Sequence, residues 1–286
     1  MCGAGGKYNT KTEGGSLMNL CTESLWKDIC KIRKEAPLVH NITNYVVMNC
    51  TANALLALGA SPVMAHEIRE VEEMTAISRA LVVNIGTLSV PWVESMKRAM
   101  QKARDLHIPV VLDPVGMGAT SYRSEAVHTL LENAPVTALR GNASEILALA
   151  WSRERTKGVD SLADSENARE AAAFLAQKYN CVVCVSGPRD YVISREQQGC
   201  IENGDPLMAR VTGMGCSASA FCGAFLALGG PPFSAVLHAM AAMGIAGEMA
   251  ALRSSGPGSL QQSFLDSLYN LTEEDLSRHL KGDLIA

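Results

Sequence analysis

Short apolar runs alternate along the chain with longer segments in which Ala and Leu recur at helical spacing, a rhythm that becomes regular from Ser24. The runs 81–85, 110–114, 136–139 and 181–186 are continuous apolar stretches, not in-and-out alternations. Strands of that kind are buried on both faces, as in a parallel sheet covered by helices. Segments 46–58, 93–107, 124–133, 143–150 and 163–179 between them are predicted as helices. Strand, helix and strand repeating without a break in composition predict one doubly wound α/β domain. After Ser186 the rhythm shortens. Segments 191–194, 199–202 and 207–211 are predicted as short strands, divided by turn-forming groups that suggest antiparallel hairpins. Helices are then predicted over 216–228 and 233–252. The longest apolar tract, Ala218 to Leu252, is broken by Gly229-Gly230-Pro231-Pro232 and contains His238 and Glu248. Two buried helices explain it better than a membrane span. Residues 1–20 are polar and Gly-rich and are expected to form a disordered extension, with Met18 an alternative start, ahead of a single domain over 21–286.

A length of 286 residues sits near the upper limit for one hydrophobic core. With 48% hydrophobic and 19% charged residues, intrinsic disorder and low-complexity architectures are excluded. Lys and Arg number 25 against 29 Asp and Glu, so no basic excess exists to neutralise a nucleic-acid backbone or an anionic membrane. Nine cysteines is an odd count in a long chain, and Met1-Cys2-Gly3-Ala4-Gly5-Gly6 leads into no apolar signal segment. Reduced thiols in the cytoplasm are therefore expected. Cys181 and Cys184 have CxxC spacing, but on a strand they would face opposite sides of the sheet. His66-Glu67 has no second His four residues on, so a zincin-type site is absent.

In such folds ligands sit beyond the carboxyl ends of the strands. Asp113 ends one strand ahead of a flexible Gly116-Met117-Gly118 turn, where it is either a cap for that turn or an acid of a ligand site. In Arg140-Gly141-Asn142-Ala143-Ser144-Glu145, Asn142 and Glu145 fit helix capping. Alternatively, Glu145 reaches a hydrated Mg²⁺, with Asp113 nearby, while Arg140 meets a polyphosphate. Ser186 ends the fourth strand with a hydroxyl and a turn. The strongest junction is Thr212-Gly213-Met214-Gly215-Cys216-Ser217, where a predicted strand gives way through two glycines to a small-residue helix. A junction of that kind aims unpaired N–H groups and the positive helix end at an anion. A dinucleotide fingerprint fits it loosely, since neither a following acidic residue nor a further βαβ unit is evident, and no GxxxxGK[ST] P-loop occurs.

Several segments together carry a resemblance. They are Pro37-Leu38-Val39-His40-Asn41-Ile42-Thr43-Asn44, Thr51-Ala52-Asn53 through Met64, Asn84-Ile85-Gly86-Thr87-Leu88, the DPVGxGA segment from Asp113, Arg140-Gly141-Asn142, and Gly256-Pro257-Gly258-Ser259. Over Pro37 to about Gln262 the chain resembles the hydroxyethylthiazole kinases of the ribokinase-like superfamily. The resemblance implies a three-layer sandwich with a mostly parallel central sheet and helices on both faces. It implies transfer of the ATP γ-phosphate to the primary alcohol of 4-methyl-5-(2-hydroxyethyl)thiazole in thiamine salvage, with Mg²⁺, by a cytoplasmic homotrimer whose sites lie between subunits. Asn44, Val46 and Met64 would line the thiazole pocket, with Gly213 near the hydroxyl. Arg140 and Ser186 would contact ATP, and Asp113 and Glu145 would organise Mg²⁺ directly or through water. Ser186 stands where Thr is usual, and Met214 where a smaller residue is usual, so its bulk could narrow the phosphate loop.

Most ribokinase-like enzymes place an Asp where this chain has Cys216. A free thiol titrates near about 8.5, and a helix N-terminus is expected to lower that value. Phosphoryl transfer needs little early deprotonation, so the amides of residues 213–216, Gly215 among them, and Mg²⁺ are expected to outweigh Cys216. Relatives with other reactions, an NAD(P)H-hydrate dehydratase or a sugar or pyrimidine kinase, would normally show Gly-x-Gly-Asp at this loop. A non-catalytic binding protein is the third reading, and intact Asp113, Glu145 and Cys216 argue against it.

Overall fold

The computed structural model describes residues 21–151 and 165–285. The extension over 1–20 and the first residues of the predicted 163–179 helix lie outside them. In chain order the elements are α1 (Thr22–Glu35), β1 (Leu38–Ile42), α2 (Met48–Leu58), β2 (Ser61–Val63), α3 (Val71–Ile77), β3 (Ala80–Asn84), α4 (Val90–Asp105), β4 (Val110–Asp113), α5 (Ser121–Asn133) and β5 (Ala138–Asn142). They continue with α6 (Ala143–Trp151), α7 (Ser165–Tyr179), β6 (Val182–Ser186), β7 (Asp190–Ile193), β8 (Gln198–Ile201), a 3₁₀ turn (Pro206–Arg210), α8 (Met214–Leu226), α9 (Pro232–Ala251), α10 (Pro257–Asn270), α11 (Glu273–His279) and β9 (Gly282–Ile285).

The strands form one sheet in the order β2-β1-β3-β4-β5-β6-β7-β8-β9. From β2 to β6 the pairing is parallel, and from β6 to β9 it is antiparallel. Successive side chains on a strand point to opposite faces, and each face here has its own core. Val82, Val111, Ala138, Val182 and Cys184 pack with α1, α2, α8, α9 and α10. Leu81, Val83, Leu112, Leu139 and Val183 pack with α4 to α7 on the other side. The result is the expected three-layer sandwich. Cys181 belongs to the second core and Cys184 to the first, so the CxxC thiols do face opposite ways.

The uninterrupted apolar runs became the central strands because both faces of the sheet are covered. Helix α9 is long and apolar enough to cross a membrane by composition, yet nearly all of it is buried inside the protein. Segment 207–211 is not a strand. Asp205 Oδ1 accepts from the Leu207 amide at 2.8 Å and Pro206 opens the turn, so local capping chemistry winds the chain into the 3₁₀ turn. The strand beside β8 is instead β9, with Gln198 opposite Ile285. Strands β1 and β2 also escape the apolar-run criterion, because polar residues sit inside β1. His40 is fully buried there, bonded to Thr75 Oγ1 at 3.0 Å and to the Ala65 carbonyl at 2.8 Å. Burial pushes its imidazole down to about 4, so it is a neutral structural group.

Helix α8 lies close against the sheet because Gly223 has no side chain: a Cβ there would stand 2.5 Å from Val82 Cγ2 and 3.2 Å from Val39 Cγ1. Gly223→Ala is expected to overpack this contact and lower stability by about 1–3 kcal/mol. The reading is a lower urea midpoint at an unchanged slope; an unaltered midpoint would contradict the tight packing.

Candidate active site

The parallel strands all end at one edge of the sheet, and their register sets polar residues side by side there. Asn84 at the end of β3 pairs with Asp113 at the end of β4. On β5 and β6, Arg140 pairs with Cys184 and Asn142 with Ser186. Helix α8 crosses behind this edge with its first turn against Arg140: a Cβ on Gly215 would lie 2.8 Å from an Arg140 terminal nitrogen.

Asp113 is 1% exposed. Its Oδ2 accepts from Asn84 Nδ2 at 2.8 Å and from Ser219 Oγ at 2.7 Å, while Oδ1 has no donor among the described residues. Its carboxyl therefore does not cap the following turn. Burial pushes it up to about 6, against the pull of the Arg140 charge and the Ser219 hydrogen bond. A buried carboxylate with one open oxygen suits a cation. Glu145 both caps α6 and reaches across to the next loop. Its Oε2 accepts from the Asn142 amide at 2.9 Å and its Oε1 from the Gly116 amide at 2.8 Å, while Asn142 Oδ1 accepts from the Glu145 amide at 3.0 Å. The capping and site readings thus coexist in one side chain. No cluster of three or more His, Cys, Asp or Glu converges among the described residues. The open Asp113 oxygen, with Glu145 held by backbone amides, fits Mg²⁺, which keeps several waters and takes few protein ligands.

Arg140 Nη2 donates to Ser186 Oγ at 2.7 Å, and its Nε is buried without a partner. Burial works against the guanidinium charge, and the carboxylates of Asp113 and Asp190 more than offset it. Asp190 in turn accepts the Gly187 amide at 2.9 Å, which holds the turn after Ser186. The chain thus presents a cationic group between two buried acids, beside a helix N-terminus.

That N-terminus is the glycine junction. Gly213 takes φ +90° at the N-cap of α8, a conformation that favours glycine, and a Cβ there would meet Cys50 Sγ at 2.6 Å. The first amide in the helical ladder is Ser217, donating to the Gly213 carbonyl at 2.8 Å. The amides of residues 213–216 precede it, and no carbonyl among the described residues takes them. Half-buried Met214 packs against the apolar core and, with Gly213, Cys50 and Phe264, lines a cavity of about 30 Å³. A hollow of about 400 Å³ lies at the opposite edge of the sheet, around Val136, Asn180 and Pro231, away from this chemistry.

Cys216 is tied into the same network. Asn44 Nδ2 bonds Cys216 Sγ at 3.5 Å and Asn84 Oδ1 at 2.9 Å. Burial and the neighbouring Asp113 charge push the thiol up to about 11. The sequence predicts a thiol lowered by the helix end, and desolvation reverses that expectation. Asn44, Asp113, Arg140, Glu145, Ser186, Gly213, Gly215 and Cys216 therefore gather at one edge. Val46 is 64% exposed on the turn before α2, and Met64 is half-buried after β2; neither joins the hydrogen-bonded network. Sequence reasoning missed Asn84 and Ser219 as site residues. The signals were an amide ending an otherwise apolar strand and a hydroxyl one helical turn beyond Gly215.

The sequence model of the Hydroxyethylthiazole kinase family matches residues 29–274. A hydroxyethylthiazole kinase of Syntrophus aciditrophicus is 57% identical over 265 residues, covering 92% of this chain and 98% of that protein. One from Leptospira biflexa is 52% identical over 256 residues, covering 90% and 96%. The solved hydroxyethylthiazole kinase protein of Pyrococcus horikoshii superposes with a TM-score of 0.86 at 40% identity, covering 92% of this chain and 100% of that one. Pyridoxal kinase of Staphylococcus aureus, solved with AMP-PCP and pyridoxal, gives a TM-score of 0.60 at 18% identity over 87% of this chain and 98% of that one, a likeness of fold.

With its thiol held near 11, Cys216 is expected to react slowly with iodoacetamide at pH 7.5 and about tenfold faster per pH unit up to that value. Peptide mapping of the alkylated protein reads the rate residue by residue. A plateau near pH 8.5 would show that the helix end outweighs burial.

Proposed function

The chain belongs to the hydroxyethylthiazole kinase family, and we propose how its residues divide that family's reaction. The reaction is ATP-dependent phosphorylation of the primary alcohol of 4-methyl-5-(2-hydroxyethyl)thiazole in thiamine salvage, and this chain catalyses it. In that transfer the alcohol oxygen bonds the γ-phosphorus, the bond from that phosphorus to the β,γ-bridging oxygen breaks, and ADP leaves. The observation that carries the assignment is the set of untaken amides at the head of α8, beside Arg140 and across from buried Asp113.

The amides of residues 213–216 receive the migrating phosphoryl as its charge spreads, and the positive helix end adds to their pull. Arg140 contacts the nucleotide phosphates, and Ser186 orients its guanidinium through the 2.7 Å hydrogen bond. Asp113 and Glu145 would hold Mg²⁺, directly or through water; when bound, it neutralises charge on the polyphosphate. Asn44, Val46 and Met64 line the acceptor pocket, with Gly213 near the reacting hydroxyl. A protonated thiol at Cys216 cannot serve as a ready base. It donates a hydrogen bond, which suffices because the transition state is loose and the alcohol proton leaves late, to the transferred phosphoryl oxygens.

The exposure of Tyr45 and Val46 beside buried Asn44 supports a pocket completed by a second copy, in the expected homotrimer. The odd count of nine cysteines in a long chain supports a reducing, cytoplasmic setting.

ADP release with the thiazole alcohol, measured with and without Mg²⁺, tests the assignment. Turnover is expected only with the metal present, and Asp113→Asn is expected to abolish it. Cys216→Ala is expected to keep measurable turnover, with a loss at the lower end of the roughly 10²–10⁴ that a general base contributes. Gly213→Val is expected to lose turnover, its fold checked by circular dichroism. If Cys216→Ala were dead and Gly213→Val active, the ranking of amides over thiol would be reversed.

A further inference from the structure

We infer that Arg123 is a positioning residue that sets the spacing between the two loops at the catalytic edge, those that follow β3 and β4. The inference rests on phosphoryl transfer taking place at that edge.

Arg123 sits in the first turn of α5, where its amide is capped by Thr120 Oγ1 at 3.2 Å. Its half-buried guanidinium forks across two loops. One Nη donates to the Ile85 carbonyl at 2.9 Å and to the Val115 carbonyl at 2.7 Å, and the other to the Gly86 carbonyl at 2.8 Å. Gly116, at φ +72°, lies directly on the Arg123 stem: a Cβ there would stand 3.1 Å from its Cδ. The absence of a side chain is what lets the β4 loop and the arginine approach so closely.

In each loop the peptide whose carbonyl Arg123 holds is tied through its N–H to a site group. On the β3 loop, Asn84 Oδ1 accepts both the Gly86 amide and Asn44 Nδ2, while Asn84 Nδ2 donates to Asp113. On the β4 loop, the Gly116 amide donates to Glu145 Oε1. Asn84 and Glu145 hold these two peptides by their N–H groups, and Arg123 holds the same peptides by their carbonyls. Three carbonyls in two loops need a rigid planar fork with several donors. The single ammonium of lysine, a point charge on a flexible stem, cannot span them in one geometry. Loss of the fork frees the loops and with them the relative placement of Asp113 and Glu145, and a displacement of about 1 Å costs on the order of 10²-fold in rate.

Arg123→Ala, Arg123→Lys and the wild-type protein are compared in three measurements. In steady-state kinetics, Arg123→Ala is expected to lower kcat by about 10–10²-fold, more than it raises KM for either substrate. Arg123→Lys is expected to stay low, and guanidinium ion below its denaturing range is expected to restore part of the kcat of Arg123→Ala. In hydrogen–deuterium exchange, peptides spanning 84–88 and 114–118 are expected to exchange faster in Arg123→Ala while α8 is unchanged. Wild-type kcat in Arg123→Ala overturns the inference. So does a loss of kcat that follows a general drop in melting temperature and gains nothing from guanidinium. The exchange measurement needs no substrate, which separates this inference from the kinase assignment: unchanged loop exchange overturns the anchor even in a fully active enzyme.

Discussion

The site depends on a buried charge that the protein neutralises only in part. Asp113 stands 1% exposed at the end of a central strand, with one oxygen bonded by Asn84 and Ser219 and the other open. Desolvation alone would drive it to the neutral form, and Arg140 restrains that tendency. Arg140 is itself held in its charged state by two buried acids. Such a cluster is costly when incomplete, since buried charges call for partners. The open carboxylate oxygen and the untaken amides of α8 are complementary halves of one demand, for a cation on one side and an anion on the other.

Parallel topology is what brings these groups together. Six parallel strands end at one edge, and α8 delivers its N-terminus to that same edge because Gly223 lets it rest on Val82 and Val39. The hydrogen bonds from Ser219 to Asp113 and from Asn44 to Cys216 then join helix to strands at the reacting end. A small-residue helix serves both purposes: close packing along its length and open amides at its head.

The central strands were legible in the sequence because burial on both faces leaves long apolar runs. Strand β1 was not, since His40 and Asn41 break its run: His40 is satisfied by bonds to Thr75 and Ala65 that form only in the folded chain, while Asn41 donates to the Val39 carbonyl and keeps its Oδ1 buried without a partner. Segment 207–211 read as a strand because its Leu, Met and Val suggested one, while the Asp205 cap wound Pro206–Arg210 into a 3₁₀ turn. At the site, the glycines, Asp113, Arg140 and Glu145 could be located from their places after strands. Asn84 and Ser219 left only weak signals, because their roles come from register and from a helix crossing the sheet. The thiol of Cys216 was misjudged for the same reason: the helix end is visible in sequence, and the depth of burial is not.

The far margin of the sheet carries a different consequence. Strand β9 supplies the last hydrogen-bonded row beyond β8 with the four residues Gly282–Ile285. Without it, β8 would present bare backbone donors and acceptors to solvent, a template on which other extended chains can stack. Residues 282–285 therefore act as a selvage that keeps the fabric from fraying into aggregates, and loss of that row trespasses on colloidal stability before it reaches catalysis.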